Sequence, residues 1–131
     1  MASFSLQVGN FAGKSLKQMD QVRRASILEL FSLVILGTPV DTGRLRGNWQ
    51  TTINSPTDSV RDKLDKSGSE AIADVAANLG GLMDVVWFVN NLPYAEAIEM
   101  GGSRQAPAGM VRKNVALWDK IVANKTQAYA G

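Results

Sequence analysis

The chain has 131 residues, 45% of them hydrophobic and 20% charged, with a formal net charge of +2. That is ordinary composition for a single globular domain spanning residues 1–131, and the charge is too small to argue for nucleic acid by itself. Cysteine and histidine are both absent, which excludes disulfides and thiolate nucleophiles and removes the commonest general base and the usual zinc ligands, so no catalytic residue, metal site or cofactor is assigned.

The N-terminus, Met1-Ala2-Ser3-Phe4-Ser5, lacks the charged start and apolar block of a signal peptide. The longest nearly apolar run, residues 27–36, is far shorter than the roughly 18 to 20 residues that span a bilayer. Synthesis in the cytoplasm, with no membrane partner, is the expectation. Phe4, Leu6 and Val8 alternate with Ser5 and Gln7, the period of a short strand. Ser15-Leu16-Lys17-Gln18 fits a capping box. From there Leu16, Met19, Val22, Ile27, Leu30 and Val34 recur at helical spacing up to Gly37, predicting a helix of about 22 residues and about 33 Å. Its second half is apolar nearly all round, so more than one side must be covered. One side is expected to meet a sheet. The other meets either the C-terminal helix or a neighbouring subunit, which makes Leu30, Phe31 and Val34 candidate interface residues.

Gly37 and Pro39 stop that helix, and Asp41-Thr42-Gly43 is turn chemistry. Trp49, Thr51 and Ile53 alternate with Asn48, Gln50 and Thr52, predicting a half-buried strand. Residues 54–66 are polar and contain Pro56, an exposed loop. Ser67-Gly68-Ser69-Glu70 is a second capping-box match. It opens a helix with Ile72, Val75 and Leu79 on one side, ended by Gly80-Gly81. Residues 83–90, with their apolar run, predict a central strand covered on both faces. Pro93 suits the first turn of a short helix ending at Gly101-Gly102. Pro107 can start the last helix, with Met110, Val111, Val115, Trp118 and Val122 on its apolar side; the tail from Asn124 is expected to fray. The fold class is α+β: a small antiparallel sheet packed with a long N-terminal helix, a middle helix and a C-terminal helix.

Three groups of residues invite a chemical reading. The glycine-rich loop 101–109 runs into a helix, whose N-terminus could bind an anion. Yet it lacks the Walker spacing and Pro107 removes an amide, so a connector is the better reading. Asp41, Glu96 and Glu99 are carboxylates near turns; Glu96 and Glu99 share a helix face, but no further acid completes a metal site, and solvated or salt-bridged acids are favoured. Glu99 sits in the last turn of its helix, where the macrodipole disfavours negative charge. That predicts a compensating contact from Arg104, Arg112 or an arginine of the next subunit. For Arg44, Arg46, Arg104 and Arg112, ordinary solvation comes first, intersubunit pairing second and DNA contact last, because no recognition helix stands out.

Two longer stretches say more. One is Thr38-Pro39-Val40-Asp41-Thr42-Gly43-Arg44-Leu45-Arg46-Gly47-Asn48-Trp49. The other runs from Val89-Asn90-Asn91-Leu92-Pro93-Tyr94-Ala95-Glu96-Ala97-Ile98-Glu99-Met100-Gly101 through Gln105-Ala106-Pro107-Ala108-Gly109-Met110-Val111-Arg112. In this order and spacing they resemble the signature of small neck or tail-completion proteins of long-tailed bacteriophages, the family named for gene product ten of a lambda-like coliphage. The resemblance covers nearly the whole chain. It implies a non-enzymatic virion protein at the neck or tail that forms a homo-oligomeric ring, joining connector or head-closure proteins to tail proteins around the DNA channel. Non-specific contact with DNA in that channel is a further implication, and no small-molecule substrate is implied. Closed rings need head-to-tail contacts between different patches. The patches suggested are the apolar helix (Leu30, Phe31, Val34) and the second-motif loop, with Arg44, Arg46, Glu99, Gly101, Gly102, Arg104, Gln105 and Arg112 as candidate contacts. A nucleic-acid-binding module is the alternative function.

Overall fold

The computed structural model describes the backbone of residues 3–130 and the side chains of residues 15–130. The fold is α+β. A long helix α1 (Ser3–Leu36) is followed by a single turn α2 (Arg44–Gly47), strand β1 (Trp49–Ile53), helix α3 (Ser69–Ala77), strand β2 (Val86–Asn90), the short α4 (Ala95–Glu99), the single turn α5 (Arg112–Val115) and α6 (Trp118–Ala128). The strands pair antiparallel, Trp49 opposite Asn90 and Ile53 opposite Val86. Helix α1 is the spine, and α3, α5 and α6 pack against it.

The start of α1 departs from the sequence reading. Phe4, Leu6 and Val8 lie on helical backbone rather than in a strand, and α1 runs unbroken through Ser15, so the capping box there starts nothing. At 34 residues the helix is about 51 Å long rather than about 33 Å. Three alternating residues are too few to set a backbone period against a continuous helix with no proline before Pro39.

The core gathers Val34 and Ile35 of α1, Leu45, Trp49, Ala71 and Val75 of α3, Leu79, Leu92 and Met110. Leu30 and Val34 are buried in it, and Ile27, Leu28 and Phe31 pack against its margin. The nearly all-apolar half of α1 is thus covered largely from within the chain, by α3 on one side and the α5–α6 arm on another. On the face of the sheet toward α1, Phe31 stacks on Phe88 (centroids 4.2 Å apart) and Phe88 on Trp49 (4.4 Å), a three-ring pile tying helix to both strands.

Other expectations shift in register. Helix α3 does follow Ser67, whose hydroxyl accepts from the Ser69 amide at 3.3 Å and lies 3.0 Å from Ser69 Oγ, but that hydroxyl does not reach deeper into the first turn. The buried Asp65 reaches forward instead, its Oδ2 accepting from the Ala71 amide at 3.0 Å. The apolar run 83–90 yields a strand only from Val86, and that strand is an edge, with Met83, Val85 and Trp87 exposed rather than covered on both faces. Pro107 lies in a loop, and the last helix begins at Arg112, breaks at Ala116–Leu117 and continues to Ala128 without fraying at Asn124.

The loop 54–66 is exposed along most of its length but tethered. The Asn91 amide donates to the Thr57 and Ser59 carbonyls, Gln50 Nε2 to the Ser59 carbonyl (2.7 Å), and Asn48 Nδ2 to the Arg61 carbonyl (2.9 Å). Asn48 Oδ1 accepts from the Arg61 amide at 2.7 Å. Asn48 and Gln50, whose alternation suggests a solvent face, are both buried beneath this strap.

Candidate functional site

The two motif stretches, widely separated in sequence, fold into one bonded unit at the C-terminal end of α1. Thr38, buried just beyond that end, is its hub. Its hydroxyl donates to the Val34 carbonyl (2.7 Å) and accepts from Trp49 Nε1 (2.9 Å), while Met110 Sδ lies 3.3 Å away. A hydroxyl suits this place because it satisfies both a helix-end carbonyl and an indole N–H that burial would otherwise leave unpaired.

The following turn is fastened on its other side. Gly43 has φ +89°, and a Cβ there would come within 2.8 Å of the Asp65 backbone, so only glycine lets the loop lie against the turn. Arg46 donates from three nitrogens to three carbonyls: Nε to Thr38 (3.0 Å), Nη1 to Lys66 (2.8 Å) and Nη2 to Leu36 (2.8 Å). The forked cation thus caps the negative end of α1 and ties the loop to it. Asn90, at the end of β2, donates to the Leu45 carbonyl at 2.9 Å. From the second stretch, the Gln105 side-chain amide pairs with both backbone groups of Val40, at 3.0 and 3.3 Å. An open cleft of about 270 Å³ lies along this joint, lined by Val40, Asp41, Tyr94, Ile98 and Gln105 among others.

Glu99 closes the second stretch. Its Oε1 accepts from the amides of Met110 (2.8 Å) and Val111 (2.7 Å), and its Oε2 from the Arg112 amide (2.9 Å) and guanidinium (3.0 Å). Arg112 Nη2 also donates to the Glu99 carbonyl, at 2.7 Å. Burial pushes this carboxyl up, but the amides of Val111, Arg112 and Met110 and the Arg112 side chain together outweigh it and hold the group below the usual range. Of the partners expected for Glu99, Arg112 of the same chain reaches it. The loop is thus a connector, as expected, and the amides at the following helix N-terminus, which a phosphate would use, hold the chain's own Glu99 carboxylate. Gly109, at φ +82°, makes the approach possible: a Cβ would strike the Glu99 carbonyl oxygen.

The remaining candidates divide cleanly. Arg46 is committed to main-chain carbonyls, and Leu30 and Val34 to the core. Gly101 takes φ +92°, and Gly102 abuts the Ala97 carbonyl, so both shape the loop. Arg44 and Arg104 are exposed, and among the described residues neither guanidinium has a hydrogen-bond or ion-pair partner. Glu96 and Asp41 are also exposed. Outside the joint, Asp84 is held below the usual carboxylate range, chiefly by the Gly81 amide and the Asn54 side chain.

Comparison with protein-family models, curated proteins and solved structures returned no match.

Sequence reasoning passed over Thr38, Asn48, Asp65 and Asp74, which organise much of this region. Asp74 Oδ2 accepts from the Thr51 amide (3.1 Å) and lies 3.4 Å from the Arg61 guanidinium. Thr38 and Asn48 lie within the first motif stretch, the only signal available for them. In chemical terms the joint clamps main chain: Arg46, Glu99 and Arg112 hold carbonyls and amides of the same protein.

Proposed function

We propose that this chain is a non-enzymatic structural protein of a bacteriophage virion, a subunit of a homo-oligomeric ring at the head–tail interface. In this reading it is made in the host cytoplasm and joins connector or head-closure proteins to tail proteins around the DNA channel. The observation that carries the reading is the joint itself. The two stretches that resemble the neck and tail-completion signature meet through Thr38, Trp49, Val40, Gln105 and Met110. Two stretches far apart in sequence that bond to one another in this way hold one rigid corner, which is a structural task. Arg44 and Arg104, whose guanidinium groups have no partner among the described residues, lie in the first stretch and between the two parts of the second. Cations on a ring subunit suit either an acidic patch of a neighbour or the phosphates of channel DNA.

The test is deletion of the gene from the phage that carries it, followed by electron microscopy of the lysate. Filled heads and free tails, unjoined, are the expected outcome, with joining restored by the protein supplied in trans. Infectious particles with tails attached would end the proposal. Purified protein that binds duplex DNA with a steep salt dependence, together with normal particles, would favour the nucleic-acid-binding alternative.

A further inference from the structure

The two outer edges of the small sheet are unlike. Asn54 N–H donates to the Val85 carbonyl at 2.6 Å, so with the observed register Thr52–Trp87 and Gln50–Val89 are the hydrogen-bonded pairs. The backbone groups of Val86, Phe88 and Asn90 therefore point away from β1, and among the described residues none of them has a partner. The outer edge of β1 is treated differently: α3 packs on that strand, and its Asp74 accepts the outward Thr51 amide. Proteins commonly blunt an open strand edge with charge, proline or a bulge. Val86-Trp87-Phe88-Val89-Asn90 contains neither charge nor proline. Its composition is that of a central strand, while its place is an edge. Next to it lies a groove of about 360 Å³, lined mostly by apolar side chains (Val86, Ile27, Leu30 and Phe31 of α1, Val115 and Trp118 of the α5–α6 arm) together with the charged Arg23 and Asp84. An extended segment laid along β2 would pair its backbone with Val86 and Phe88 and place every second side chain in that groove.

The same chain carries an exposed extended segment whose outward side chains alternate acid and apolar, Asp58, Val60, Asp62 and Leu64. Along residues 57–61 the carbonyls of Thr57, Ser59 and Arg61 are held by Asn91, Gln50 and Asn48, contacts at every second residue that mark an extended backbone. The intervening backbone groups of Asp58, Val60 and Asp62 have no partner among the described residues, and the Val60 and Leu64 side chains are exposed. This segment lies over the Gln50 face of the sheet, opposite the face that packs on α1. An acceptor edge and an exposed extended segment at different places on one chain are what a head-to-tail contact requires.

We propose, resting on the ring reading above, that the outer edge of β2 receives the exposed segment 57–64, extended along 57–61, of a neighbouring copy of this chain. Sedimentation velocity of the full chain over a concentration series tests it, with Val86→Pro and Val85→Lys as variants. Proline at residue 86 removes an outward N–H and no ladder bond; lysine at residue 85 places charge beside the edge at an exposed position. Wild-type protein should self-associate, and each variant should weaken association about tenfold or more while leaving the thermal midpoint of the dilute protein unchanged. Should circular dichroism show Val86→Pro misfolded, Val85→Lys carries the test. Variants that assemble like wild type would overturn the β2 edge as the contact and leave self-association standing. Wild-type protein that stays monomeric throughout, its Val86 and Phe88 amides exchanging freely, would overturn both the edge pairing and the homo-oligomer reading.

Discussion

Glu99→Ala should destabilise the protein by about 3 kcal/mol, lowering the thermal midpoint by about 10 °C for a domain of this size. The substitution strips the amides of Met110, Val111 and Arg112 of their shared acceptor and leaves the Arg112 guanidinium without its carboxylate. Glu99→Gln should cost less, because its carbonyl oxygen can still accept from Met110 and Val111. Its NH₂ group would then face two donors of Arg112, so some loss remains. The pH dependence has a definite sign. Interactions in the folded protein lower the Glu99 pKa below its ordinary value of about 4.5. The stabilisation is therefore complete above that pH and disappears as pH falls through the lower folded value. In urea unfolding, the gap between wild type and Glu99→Gln should be constant near neutral pH and should close in acid. A gap that persisted unchanged to about pH 2 would show that the carboxylate's charge contributes nothing.

Trp49→Ala should cost about 4 kcal/mol, the larger of the two effects. Trp49 is buried, its ring lies on Phe88, and its N–H is held by the Thr38 hydroxyl. Alanine would open a cavity where α1, both strands and the first motif meet. Trp49→Phe separates the contributions: it keeps an aromatic ring on Phe88, gives up part of the packing, and removes the hydrogen bond. A cost of about 1 to 2 kcal/mol is expected. If phenylalanine were as damaging as alanine, the indole N–H and the lost ring volume, rather than the stack, would be holding this corner. Equilibrium denaturation followed by far-ultraviolet circular dichroism provides the comparison, since it does not depend on which tryptophan is lost.

The α+β class, the strand from Trp49 to Ile53 and the break around Gly37–Pro39 are legible in the sequence because local signals there agree with the tertiary result. Where local and tertiary signals disagree, the sequence misleads in instructive ways. Ser67-Gly68-Ser69-Glu70 has the form of a capping box, yet Asp65 caps α3, because the turn through Gly68, at φ +78°, brings a residue from further back over the first helical turn. Asn48 and Gln50 alternate with apolar neighbours as solvent-facing residues do. They are buried because the strap that covers them presents backbone carbonyls, which an amide side chain can satisfy. No periodicity encodes that, since the partner lies about ten residues away in an irregular segment.

The candidate site shows the same division. The sequence marks Glu99 as needing a contact, because the macrodipole disfavours its charge, and Arg112 is one of the partners expected for it. What it could not give is that three amides share the carboxylate, an arrangement that depends on the left-handed backbone at Gly109. Arg46 looked like an interface residue because charge on a turn suggests solvent or a partner. Its geometry instead uses all three guanidinium nitrogens on carbonyls of its own chain. The arginines left for an external partner are Arg44 and Arg104, a narrower set than the sequence suggested.

The proposed ring function is tested most directly by reconstructing the head–tail region of particles assembled from the genome that carries this gene. The account predicts a closed ring of density between the head connector and the tail, each repeat fitted by α1 with the α2–β1 corner and the Glu99–Arg112 loop packed at its end. A neck whose density is fully explained by other chains, with no ring that this fold can fill, would contradict it.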